Sequence, residues 1–174
     1  SNPRVRETRS RPRPSGAGYL YGADPAQSLF EGAFMVGTGS SHISDNARTE
    51  FGSSDVDFKV NSGGLISISE PGVLLAEETR SAFDDSFAEN PIGLFIEQRT
   101  MASNLAGHGD YLIVEYTIHN RSGQMLDNLH CGLFFDWDFP WTGEVAARDG
   151  GGFDPASGVG WMRHRDQNRF RGLC

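Results

Sequence analysis

An all-β fold, an antiparallel two-sheet β-sandwich with long Gly/Asp-rich loops, is what this sequence predicts, and three observations predict it. Apolar residues recur with period two in several separate stretches, which sends them to one face of a strand. Gly-rich turn signals divide those stretches at short spacing. No stretch sustains a 3.6-residue apolar period, and residues 73–87, which come nearest, are closed by Pro91. The 174 residues and 37 % hydrophobic content suit one domain with a core, and no apolar run approaches the roughly 18 residues of a membrane helix.

Along the chain, residues 1–18 read as an Arg/Pro-rich arm, because Pro3, Pro12 and Pro14 alternate with arginines and offer no apolar face. Residues 19–174 form the predicted β-domain, possessing a last strand that ends abruptly, as in a truncated sandwich. Residues 29–38 place Phe30, Phe34 and Val36 on one face, and Gly32 and Gly37 permit a close backbone approach or a bulge. The run 37–42, Gly-Thr-Gly-Ser-Ser-His, is a turn. Residues 55–60 put Val56, Phe58 and Val60 on a buried face and Asp55, Asp57 and Lys59 on a wet one. Asn61-Ser62-Gly63-Gly64 then predicts a hairpin turn, with Leu65, Ile66 and Ile68 on the return strand. Residues 93–101 alternate Leu94 and Ile96 against Phe95 before turning polar.

The strongest signal is residues 111–139. Leu112, Val114, Tyr116 and Ile118 share a face opposite Glu115, Thr117 and His119, and Asn120-Arg121-Ser122-Gly123 is a turn that doubles as an N-glycosylation sequon. A second strand follows, expected to form a hairpin with the first; Cys131, Leu133, Phe135, Trp137 and Phe139 are on its apolar face. Cys131 is therefore expected to be buried, and Cys174 is free to pair with it, with another chain or with nothing. Residues 142–160, rich in Gly and Asp, read as a long surface loop. Residues 169–174 resume alternation, as a strand that is cut short or that pairs with another subunit.

Charge is sharply divided. Residues 1–13 carry Arg4, Arg6, Arg9, Arg11 and Arg13 against one acid (+4), residues 163–174 carry +3, and the body between them carries −15. An anionic body disfavours nucleic acid across its surface, whereas cationic ends suit the acidic body of a neighbour. The five arginines of the arm are accordingly the predicted interface residues.

Chemistry is sparsely signalled. Asp136-Trp137-Asp138 sets two carboxylates on one strand face about 7 Å apart at Cβ. That pair admits three readings: like charges at a wet strand end, a calcium site completed by Asp149 and Asp154, or a glycosidase pair, whose carboxyls stand roughly 5 to 9.5 Å apart. Trp137, Trp141 and Trp161 suit sugar stacking if they line an exposed rim, and core packing otherwise. There is no nucleophile elbow, phosphate loop, zinc-type histidine pair or C-x-x-C motif. No catalytic residue is assigned.

Leu29-Phe30-Glu31-Gly32-Ala33-Phe34-Met35-Val36-Gly37, Ile43-Ser44-Asp45-Asn46-Ala47-Arg48, Tyr116-Thr117-Ile118-His119-Asn120 and Gly132-Leu133-Phe134-Phe135-Asp136-Trp137-Asp138 together resemble poorly characterised β-sandwich regions of large secreted bacterial proteins. Some of those proteins also carry subtilisin-like peptidase or surface-sorting domains. The resemblance implies a secreted, extracellular accessory or assembly module. The expectation is a non-enzymatic structural module that self-associates, or contacts other domains of a larger secreted protein, through its arm. The alternative is a carbohydrate-binding module or glycosidase fragment using Asp136, Asp138 and the neighbouring tryptophans.

Overall fold

The computed structural model describes residues 29–48, 53, 55–61, 63–137, 149–164 and 170–173, and every regular element among them is a strand. In order these are β1 (Leu29–Gly39), β2 (His42–Asp45), β3 (Lys59–Val60), β4 (Ser67–Ser69), β5 (Glu77–Asp84), β6 (Leu94–Ala102), β7 (Leu112–Asn120), β8 (His130–Trp137), β9 (Asp149–Asp154), β10 (Val159–His164) and β11 (Phe170–Leu173). They form three sheets: β2-β1-β8, a five-stranded sheet of order β3-β5-β6-β7 with β4 also on β5, and β11-β10-β9. All the registered pairings are antiparallel. By its contacts the chain divides into two compact units, residues 33–133 and a second made of residues 1–32 with 134–174.

Within the larger unit the core forms where period-two faces converge. Val36, Ile92, Leu94 and Ile96 are buried, packed by Phe34, Phe58, Phe83, Tyr116, Ile118, Leu126 and Leu129. Phe34 stacks on Tyr116 at 4.4 Å, and Phe58 meets Phe83 edge-on at 5.1 Å. Each such pair adds about 0.5–1.5 kcal/mol beyond burial. The core occupies one half of the sheet face: the register sets Ile96 between Phe83 and Ile118, whereas Val114 and Leu112, further along the same face, are exposed.

Two buried carboxylates brace the loops around this core. Asp85, at the end of β5, accepts N–H bonds from Ile92 (2.6 Å), Gly93 (3.1 Å) and Leu94 (2.8 Å), and the Ser44 hydroxyl (3.2 Å). Those donors close the loop between β5 and β6 and satisfy amides that would otherwise be buried unpaired. On the opposite face of the sheet Glu78 takes Arg99 Nη2 at 2.7 Å and the amides of Leu74 and Leu75, folding the loop before β5 over the sheet.

Several expectations are corrected. Residues 59–68 do not form a hairpin: β3 and β4 both pair with β5, Val60 opposite Phe83 and Ser67 opposite Arg80. The chain keeps its direction along β5 instead of reversing: Asn61 N–H donates to the Ala82 carbonyl, and Ala82 N–H donates to that of Gly64. Gly64 is required there, since a Cβ would fall 1.9 Å from the Ala82 oxygen. Of the predicted buried triplet only Phe58 packs in the core, and Val56 and Val60 are exposed.

The predicted hairpin of residues 111–139 is also replaced. β7 pairs with β6, from Leu94 opposite Asn120 to Ala102 opposite Leu112, and β8 joins β1 in another sheet. The turn at residues 121–123 does form, closed by Arg121 N–H on the Gly93 carbonyl and by Ser122 on Asn120, but the chain then continues to Asn128 (φ 57°) before β8 begins. Leu126 and Leu129 pack on the core in this connection, which anchors it away from β7. Cys131, expected to be buried, is exposed and carries a free thiol, because it lies in the uncovered first half of β8.

Residues 149–154, expected as loop, form β9, paired with β10 from Asp149 opposite His164 to Asp154 opposite Val159. Glycine makes this strand possible: the Trp161 indole crosses Gly152, where a Cβ would sit 2.6 Å from the ring. β11, foreseen as a cut strand or an intersubunit one, pairs with β10 of its own chain, Phe170 opposite Arg163.

Candidate functional site

Residues far apart in sequence line a cleft of about 420 Å³ in the larger unit: Ser41, His42 and Ile43 from the β1–β2 turn and β2, residues 55–57, and residues 87–90. Backbone bonds assemble it. Asp55 N–H donates to Ala47 O at 2.8 Å, Asp57 N–H to Asp45 O at 3.2 Å, and Phe87 N–H to Asp57 O at 3.1 Å. Residues 55–57 are thereby held between the end of β2 and the loop after β5. The His42 ring ties the remaining wall: Nε2 lies 2.9 Å from the Asn90 carbonyl, which needs a donor there, leaving Nδ1 to accept from Thr38 Oγ1 at 3.1 Å.

The lining is acidic. Asp55, Asp57 and Glu89 contribute carboxylates, and Asp45 adjoins them through its N–H bond to Asp57 Oδ2 at 3.0 Å. Burial pushes the Asp57 carboxyl above its ordinary range; the neighbouring charges of Asp55 and Asp45 push the same way, against the Asp45 N–H bond. At the rim, Lys59 Nζ sits 4.7 Å from the Phe87 ring centroid, so that ring already faces a cation. Such a lining favours a polar cation, above all a guanidinium, whose planar fork matches carboxylates.

The sequence-predicted residues are distributed otherwise. Asp136 is half-buried on β8, between Phe135 and Trp137, whose rings stack at 5.7 Å. Asp149 and Asp154 stand at opposite ends of β9, five residues apart, which is about 16 Å of strand, so the structure does not bring them together. Asp154 caps the β9–β10 turn, accepting from Ser157 Oγ at 2.6 Å and Ala156 N–H at 3.0 Å, and those bonds hold its carboxyl below the usual range. Trp161 is half-buried across Gly152, with the Arg163 guanidinium 6.0 Å from its ring. Asp138, Trp141 and the arm arginines Arg4, Arg6, Arg9, Arg11 and Arg13 lie outside the described residues. Among the described residues no group of three or more His, Cys, Asp and Glu is arranged to hold a metal ion, and no helix is long and apolar enough to cross a membrane.

Period two assigns Asp55 and Asp57 to a solvent-facing strand side, so alternation alone does not point to the cleft. One signal for it exists: Asp55-Val56-Asp57 repeats the spacing of Asp136-Trp137-Asp138. Comparison with family models, with curated proteins and with solved structures finds no match to this chain.

Proposed function

We propose that this chain is a non-enzymatic assembly module, a secreted β-sandwich whose cationic arm docks on the acidic surface of a neighbour, with the Asp55/Asp57/Glu89 cleft as the receiving site. The observation that carries this reading is the cleft itself: carboxylates from two separate segments gather on an anionic body, and the same chain carries five arginines in its first 13 residues. Charge pairing of this kind gives orientation and association rate more than affinity, which suits contacts between repeated modules. The sandwich reading draws on the antiparallel pairings of the five-stranded sheet and the apolar core on one of its faces, and the extracellular placement on the resemblance of the strand sequences to those of secreted proteins.

The test is binding of a labelled peptide of residues 1–13 to the full chain. Binding in 0.1 M NaCl that fades by 1 M is expected, because the Debye length falls from about 10 Å to about 3 Å. Asp55→Asn together with Glu89→Gln is expected to weaken it at least tenfold. Affinity unchanged by salt or by that double substitution would defeat the proposal.

A further inference from the structure

The five-stranded sheet treats its two edges differently. One edge is built from β3, two residues long and bearing Lys59, and β4, three residues long, and the pairing with β5 is interrupted between them. Short, interrupted and charged edges are the usual means by which a sheet refuses further strands. The opposite edge is β7: nine residues, in unbroken register with β6, without Lys, Arg or Pro. Among the described residues nothing pairs with its outer side. Apolar side chains are exposed on both of its faces, Leu112 at 56 % and Val114 at 43 % on one, Ile113 at 43 % on the other.

We infer that β7 is a strand-pairing edge whose occupant is the β7 of a second copy, antiparallel and centred on Tyr116, so that one sheet runs through both molecules. The inference deepens the assembly reading by naming a partner and a surface, and it rests on that reading only for the premise that the chain associates. Overlap and charge together favour one register. Centred on Tyr116, all nine residues overlap: Val114 faces Ile118 of the second copy, Ile113 faces His119, and Glu115 faces Thr117. No like charges meet, and directly opposed residues are the ones whose side chains interact across a strand pair. Centred one residue earlier, Glu115 would oppose Glu115. Parity is also kept, so Leu112, Val114, Tyr116 and Ile118 of both copies stay on one face and extend its apolar surface.

Sedimentation equilibrium of the full chain tests this. A mass of two chains is expected to persist in 1 M NaCl, where an arm held by charge is released. Thr117→Glu sets carboxylates against Glu115 of the second copy and is expected to halve the mass in 0.1 M NaCl. Thr117→Lys sets an ammonium there and is expected to keep the pair. Thr117 is exposed and lies opposite Glu97 of β6, so a thermal melt of each variant separates a loss of fold from a loss of pairing. A monomer in 1 M NaCl, or identical behaviour of the two variants, overturns the inference. Monomers in 1 M with larger species in 0.1 M would remove the strand pairing and leave the arm proposal standing. A dimer unchanged by salt, with nothing larger at 0.1 M, would do the reverse.

Discussion

Two carboxylates with no place in an apolar pattern are what hold the loops of the larger unit. Asp85 is 2 % exposed and serves three backbone N–H groups and the Ser44 hydroxyl. Asp85→Ala is expected to cost about 3 kcal/mol or more, because it strands several buried donors. Urea unfolding measures it, and an unchanged midpoint would contradict the bracing role. Glu78 has its pKa lowered to about 2, first by the Leu74 amide, then by Arg99 and the Leu75 amide. With its folded pKa below the ordinary 4.5, its contribution is complete above about 4.5 and lost as the pH falls toward 2. Unfolding titrations from pH 7 to 2 should therefore show a steeper loss in the wild type than in Glu78→Gln; equal slopes would exclude Glu78 as a source. Asp57 has the opposite sign. Its raised pKa means that ionisation is disfavoured in the fold, so Asp57→Asn is expected to raise the melting temperature at pH 7 while weakening arm binding. A lower melting temperature would show that the carboxylate is needed for structure rather than held at a cost.

Strands here choose partners by what their connections permit. β5 was invisible in the sequence because Glu77-Glu78-Thr79-Arg80-Ser81 shows no apolar alternation. One of its faces is built instead around the Glu78–Arg99 ion pair, and the other reaches the core only at Phe83. The Gly64 contact decides whether β3 and β4 can follow one another along β5. Gly64→Ala is expected to destabilise by about 1–3 kcal/mol, the range for forced overpacking, since its Cβ meets backbone rather than a movable side chain. A thermal melt within 1 °C of the wild type would show that the Gly64 contact with Ala82 does not hold this edge. By contrast β1, β6, β7 and β8 are legible: β7 and β8 alternate apolar and other residues along most of their length, and β1 and β6 carry shorter apolar runs rich in aromatic or β-branched residues.

At the scale of the whole molecule, charge is divided between ends and body, and the proposed assembly makes that division the source of association. Native mass in 0.1 M NaCl is expected to fall when the arginines at 4, 6, 9, 11 and 13 are replaced by serine, with the fold retained by circular dichroism. Mass unaffected by the replacement would remove the arm from the assembly. The sequence alone determined the all-β class, four of the long strands, a turn within residues 37–42 that the structure narrows to residues 40–41 between β1 and β2, the turn at residues 120–123, and the polarity of the ends. It did not determine that β7 lies on β6 and β8 in another sheet, that residues 149–154 are strand, that Cys131 is exposed, or that Asp55, Asp57 and Glu89 share a cleft. Period two records which face of a strand is apolar, but backbone hydrogen bonds are blind to side chains. Which strand pairs with which, and which polar face is turned inward, is settled by contacts between residues distant in the chain.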